Sequence, residues 1–266
     1  MRRKNINNLI YKKKLISKNR TEYKFYFFRV VDSTNNFAKR VHQKYKILFP
    51  YVFLTKQQTN GYGRFGRKFY SPKNSGIYIS FLIPLDNEQL LNTGLLTTGT
   101  GVAVVKTLTS FFPNIHFGLK WVNDIYIGNY KCGGILAEDL RFGKTACLLI
   151  GIGLDINTRS FPERIRKKTA AIVKGDNKIN RFKIAVELID NFFSMYSTYY
   201  TGNFLPEYRK LSIILGKNVQ IKINNKIISG KAKAITDEGG LKIVNSKGNF
   251  LTLYSGEVVK VNFSMK

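Results

Sequence analysis

From Leu215 onward the chain changes its period. Val219, Ile221 and Ile223 alternate with Gln220 and Lys222. Such alternation puts one face of an extended strand in a core and the other in water. Four more short β-prone segments follow: Lys226 to Ile235, Leu241 to Val244, Phe250 to Tyr254 and Val258 to Val261. Turn-forming runs separate them, Asn224-Asn225, then DEGG at 237–240 and SKGN at 246–249. Five short strands in about 50 residues leave no room for crossover helices and predict a small β-barrel. Nothing rich in Pro or Ser precedes it, so the barrel is expected to sit directly on what comes before.

Upstream the pattern alternates between the two periods. Tyr23 to Val31 is aromatic and β-branched, a strand signature. Asp32-Ser33-Thr34-Asn35 then supplies hydroxyls that accept the orphan N–H groups of a helix start, and a helix is predicted from Asn36 to Lys46. Tyr51 to Gln57, Gly76 to Pro84, His116 to Trp121, Asp124 to Ile127, Gly134 to Asp139 and Ala146 to Ile152 read as further strands. Leu90 to Phe112 and Arg181 to Tyr200 read as helices. This order predicts an α/β (α+β) domain built round a mixed sheet. The expected division is a basic N-terminal extension at 1–20, a large domain at 21–213 and the barrel at 214–266.

The balance of 44 Lys+Arg against 16 Asp+Glu, a net charge of +28, favours acidic partners. The charge is spread along the chain, and Lys, Asn and Ile are abundant throughout, so most of it reads as compositional drift. Two cysteines form neither a metal clamp nor a disulfide framework, and they suit a reducing cytoplasm. No run of 18 apolar residues is present, so no membrane helix is expected. The first 20 residues lack the apolar core of a secretory signal.

Three segments carry chemistry. Gln58 to Arg67 reads QTNGYGRFGR. Its glycines, Gly61, Gly63 and Gly66, allow close backbone approach to a ligand, and Arg64 and Arg67 can grip carboxylate or phosphate. The loop lacks the G-x-x-x-x-G-K-[ST] of a P-loop, and no helical pattern follows Gly66 to make a dinucleotide fingerprint. Lys120-Trp121-Val122-Asn123-Asp124 forms a second segment, with Lys131 in a KCGGIL turn seven residues on. A lysine beside an acyl or phosphoryl centre stabilises developing negative charge. Asp124 suits a substrate N–H or a Mg²⁺ ion. Gly151 to Asn157, GIGLDIN, ends a buried strand and reads either as a tight turn or as another wall of a nucleotide pocket. Together the segments suggest activation of an acid by a nucleotide.

In this order, DSTN (32–35), QTNGYGRFGRK (58–68), KWVND (120–124), Lys131 with GGIL (133–136) and GIGLDIN (151–157), followed by a small barrel, the chain resembles the biotin–protein ligases. The resemblance covers roughly residues 23 to 262. It implies a class II synthetase-like α/β domain with an SH3-like C-terminal barrel. It implies an ATP-dependent ligase that joins biotin to ATP with Mg²⁺, then passes biotin from biotinyl-5′-AMP to a lysine of the carrier domain of acetyl-CoA carboxylase or another biotin-dependent carboxylase. Matched residue by residue, Ser33, Thr34, Gln58, Gly61, Arg64, Lys131 and Gly133 fall at biotin-binding positions. Arg64, Arg67, Trp121, Asn123, Lys131 and Asn157 fall on the nucleotide side, with Asp124 on the metal side. Lys131 and Arg64 would carry the catalysis, with no covalent enzyme intermediate.

Some positions depart from the family's pattern. Tyr62 replaces a common Arg, Val122 a common Pro, and Asp155 the usual Asn. The DSTN motif begins at residue 32, which leaves too little chain ahead of it for a winged helix-turn-helix, so no specific DNA binding is expected. A homodimer is compatible with the resemblance. Three other readings compete: a lipoate–protein ligase, whose R-R-x-S-G-G-G-type loop is missing, a basic nucleic-acid-binding protein, and a ligase fold without activity, suggested by Tyr62, Val122 and Asp155. The second would want exposed aromatics on one barrel face, where only Phe250, Tyr254 and Phe263 are available.

Overall fold

A computed structural model describes residues 8–85, 92–143, 145–175, 179–224 and 226–262. Leu90, Asn225, Phe263 and the first seven residues of the expected extension lie outside them. The strands are β1 (Leu9–Ile16), β2 (Glu22–Phe28), β3 (Tyr51–Thr55), β4 (Ile77–Leu85), β5 (Phe117–Lys120), β6 (Asp124–Ile127), β7 (Tyr130–Phe142) and β8 (Thr145–Leu154), then β9 (Asn218–Ile223), β10 (Lys226–Ile235), β11 (Leu241–Val244), β12 (Phe250–Leu253) and β13 (Glu257–Asn262). The helices are α1 (Thr34–Lys44), α2 (Thr93–Phe111), α3 (Glu163–Arg166), α4 (Arg181–Tyr196) and α5 (Leu205–Leu211).

The first eight strands form one mixed sheet in the order β1-β2-β3-β4-β8-β7-β6-β5. Only β2 and β3 run parallel, joined by α1 as the crossover. Strand β3 shows why its sequence is apolar up to Thr55. Val52 and Leu54 enter the core under α2 and α4, while Tyr51 and Phe53 enter the core under α1. A strand covered on both faces has no polar side to present. Helix α1 buries Phe37, Ala38 and Val41 on one face, and Ser33 caps it by accepting from the Asn36 N–H at 3.4 Å.

The remaining strands form a second, antiparallel sheet in the order β12-β11-β10-β9-β13. Val219, Ile221, Ala232, Ile235, Leu241 and Ile243 are buried in it, and they join the same hydrophobic core as the larger sheet. Side chains of the large domain donate to carbonyls of the small one: Arg209 Nε to Ile235 at 3.0 Å, Trp121 Nε1 to Gly239 at 3.0 Å and Lys120 Nζ to Val258 at 3.2 Å.

Two expectations need correction. The segment expected to be a frayed basic extension is, from Leu9 to Ile16, an edge strand paired antiparallel with β2. Its lysines hid it, because an edge strand is held by its backbone ladder and keeps its side chains in water, where lysine also discourages further pairing. Lys131 lies on β7 rather than in a turn, next to a register shift between Ile125 and Tyr126 of β6. Among the described residues no helix is long and apolar enough to cross a membrane.

Candidate active site

A cleft opens where α1, the glycine loop, β6, β7, β8 and the start of β13 converge. It has a neutral polar group, a charged group and an apolar floor between them. The neutral group centres on the buried Ser33 and Thr34 at the start of α1 and on Gln58 at the start of the glycine loop. Thr34 donates to Gln58 Oε1 twice, from its N–H at 2.9 Å and its hydroxyl at 3.2 Å. Gln58 Nε2 donates to Ser71 Oγ at 2.9 Å, and Ser80 Oγ donates to Thr34 Oγ1 at 2.7 Å. These bonds fix the Gln58 amide without placing a charge nearby. Gly61 packs against it, and a Cβ there would stand 2.7 Å from Gln58 Nε2, so glycine lets the loop lie on the amide.

The floor is formed by Ile79, Phe69, Ile135, Leu136 and Ile152, with Gly151 and Gly153 of β8. A Cβ at Gly153 would lie 2.5 Å from the Phe69 ring, so the GIGLDIN glycines admit the aromatic that walls the cleft.

The charged group gathers Lys131, Asn123, Asp124, Arg64, Arg67 and Glu257. The hairpin from β5 to β6 sets Lys120 opposite Asp124, and Lys131 reaches the same carboxylate from β7. Lys131 Nζ is 2.6 Å from Asp124 Oδ1, and Lys120 Nζ is 3.5 Å from Oδ2. Burial alone would raise the Asp124 carboxyl, but the two ammonium groups outweigh it and hold the carboxyl below the ordinary range. Asn123 donates to Ile135 O at 3.1 Å and accepts from Arg64 Nη1 at 3.2 Å. Arg64 also donates to Gly256 O at 2.9 Å, and Arg67 pairs with Glu257 through both carboxylate oxygens. Four cations thus meet two carboxylates, an excess of positive charge suited to anionic ligands.

Phe65, between the two arginines, adopts φ 58° and is 68% exposed at the mouth. Both guanidiniums lie over its ring, at 5.1 Å and 5.7 Å.

Of the residues expected at the site, Ser33, Thr34, Gln58, Arg64, Arg67, Asn123, Asp124 and Lys131 come together here. Gly61 and Gly133 lie just behind the lining, with Gly133 packed on Leu154 of β8. Trp121 does not reach the cleft. It is 2% exposed, buried in the core, and donates from Nε1 to Gly239 O of the small sheet. Asn157 also faces elsewhere, accepting from Arg181 Nη1 at 2.9 Å. Asp124 is committed to two lysines, and among the described residues no group of three or more His, Cys, Asp and Glu side chains is placed to hold a metal ion. These residues form no all-protein Mg²⁺ cage, and Asp124 would meet a phosphate-bound ion only by sharing its carboxylate with the two lysines. Glu257 and Phe65 went unrecognised in the sequence. A lone Glu after a barrel turn carries no local signal, and only the docking of the small sheet brings it to the cleft.

Residues 27–155 match the biotin/lipoate A/B protein ligase family, and residues 214–261 match the biotin protein ligase C-terminal domain. The bifunctional ligase/repressor BirA of Bacillus spizizenii is 30% identical over 78% of this chain, and the match spans 65% of that protein's length. The biotin–[acetyl-CoA-carboxylase] ligase of Mycobacterium tuberculosis is 25% identical over 78% of both chains. The Aquifex aeolicus biotin protein ligase, solved with biotin and ATP, superposes with a TM-score of 0.74 at 25% identity, covering 90% of this chain and 99% of that one. Two family models are thus matched one after the other, and the fold of the Aquifex ligase is shared along nearly the whole described length.

Proposed function

We propose that this chain is an ATP-dependent biotin–protein ligase. The observation that carries the reading is one cleft joining a neutral polar group (Ser33, Thr34, Gln58) to a cationic group (Arg64, Arg67, Lys131) across an apolar floor. Biotin has that character in one molecule: an uncharged ureido head, an apolar thioether ring and chain, and a terminal carboxylate. The likeness to the Aquifex ligase supports the choice of biotin over lipoate.

In the first step a biotin carboxylate oxygen attacks the α-phosphorus of ATP and pyrophosphate leaves. Two anions must approach, and Lys131 and Arg64 offset their repulsion in a partly water-excluded cleft. The neutral group orients the head so that the carboxylate meets the cations. Mg²⁺ would enter as the counter-ion of the ATP phosphates, as part of the substrate. In the second step the uncharged amine of a carrier lysine attacks the mixed anhydride, AMP leaves with the bonding pair, and the amine loses its extra proton. The glycine loop keeps water from the anhydride until the carrier arrives. The carrier would be the biotin domain of acetyl-CoA carboxylase or a related carboxylase. Both cysteines are buried and free, which supports a cytoplasmic setting.

The test is exchange of labelled pyrophosphate into ATP, with biotin and with lipoate in parallel. Exchange with biotin alone is expected. Exchange with lipoate alone would move the chain to the lipoate branch of the family, and exchange with neither would overturn the reading.

A further inference from the structure

The glycine loop is held at two places. One is the pair of arginines bound to the start of β13. The other lies across the loop and takes no part in the chemistry above. Tyr62 Oη donates to Glu138 Oε2 on β7 at 3.3 Å. Lys39 Nζ on α1 donates to the other oxygen of the same carboxylate at 2.8 Å and stands 5.3 Å from the centre of the Tyr62 ring. Loop, first helix and β7 therefore meet at one carboxylate. All three side chains are partly buried, so the bonds are less screened than surface contacts.

Tyr62 also stands at the base of the loop. It pairs antiparallel with Lys68, and Gly63 N–H donates to Arg67 O at 2.8 Å, closing a tight hairpin with Arg64 at its turn. A loop with Gly63 and Gly66 near its tip loses much backbone freedom when it orders. A bond at its base removes part of that loss before any ligand binds. Burial raises the Tyr62 hydroxyl above its ordinary range, so the side chain stays a neutral donor.

We infer that Tyr62 is a positioning residue, anchored by the Lys39–Glu138 pair, that holds the glycine loop in its ligand-ready form. The inference rests on the ligase reading only for the identity of the ligands.

The test compares the wild-type full chain with Tyr62→Phe, which removes the hydroxyl alone, and with Glu138→Ala, which removes the anchor from the other side. Hydrogen–deuterium exchange is followed over residues 61–68 without ligands, and biotin and ATP kinetics are measured by pyrophosphate exchange. Both variants are expected to exchange faster in 61–68 and to show a KM for biotin raised about three- to tenfold, the scale of one lost hydrogen bond, with kcat within twofold. The double variant should do no more than either single one. Unchanged exchange in 61–68, or a fall in kcat at constant KM, would overturn the inference. The exchange readout needs no activity, so a wild-type chain inert toward biotin would count against the ligase reading alone.

Discussion

Lys131 Nζ lies 2.6 Å from Asp124 Oδ1, although the two residues sit on different strands of the large sheet. The pair places an ammonium at the boundary between the cleft and the core. Lys120 binds the second oxygen, so Asp124 aims Lys131 and stays ionised while the cationic excess faces the ligand. The spacing of KWVND and Lys131 thus has a mechanical meaning. A hairpin and the following strand bring two ammonium groups to one carboxylate.

Lys131→Ala is expected to lower biotin-dependent pyrophosphate exchange by at least about 100-fold, the scale seen when a transition-state charge stabiliser is removed. Biotin binding, measured by calorimetry, should weaken much less, because the neutral group is untouched. An unchanged exchange rate would refute the role given to Lys131.

Arg64→Gly removes the contacts to Asn123 and to the Gly256 carbonyl together. The loop should open and release biotinyl-adenylate. Incubation with ATP, biotin and an unrelated lysine-rich protein should then label that bystander. Labelling confined to the true carrier would show that Arg64 does not retain the intermediate.

Trp121→Phe separates a structural role from a nucleotide-binding one. The bicyclic indole is cut to one ring, which leaves a cavity in the core, and the bond from Nε1 to Gly239 O is lost. Stability should fall by about 2–3 kcal/mol, with KM for ATP unchanged. A large rise in KM for ATP at normal stability would return Trp121 to the nucleotide site.

Asp155 is buried, and that burial, opposed by the Thr158 hydroxyl and by Lys131, pushes its carboxyl up to about 7. Its unfolded value is near 3.8. Below about 4 both states are protonated and the site costs nothing. Between about 4 and 7 the unfolded chain ionises while the folded one does not, so stability is lost as pH rises, and above 7 the penalty is constant. Asp155→Asn, which keeps an acceptor for Thr158, should therefore stabilise the protein by on the order of 3 kcal/mol at pH 8 and by clearly less at pH 5. Denaturant unfolding at the two pH values measures this. An equal effect at both would show that the carboxyl does not titrate in the folded state.

The strands and helices with a strong period were readable from the chain: α1 with its Ser33 cap, the doubly buried β3 and the five alternating strands of the small sheet. Strand β1 was not, because Lys12, Lys13 and Lys14 face water on an edge whose stability comes from backbone pairing with β2. The motif residues of the site were readable as types, yet their neighbours were not. Trp121 and Asn123 stand two apart in one motif, and one faces the core while the other faces the ligand cleft.

Local order along the chain thus determined the two-part architecture, the residues able to hold a carboxylate and a phosphate, and the family that the chain resembles. Periodicity, capping and turn chemistry act between residues within a few positions of each other, and a sequence displays them directly. Only the tertiary structure decided that Glu257 meets Arg67 across 190 residues, that Tyr62 ties the glycine loop to Glu138, and that Trp121 fastens the barrel. Those contacts depend on how two sheets pack, and packing is set by the shape of a whole core rather than by any short stretch of it.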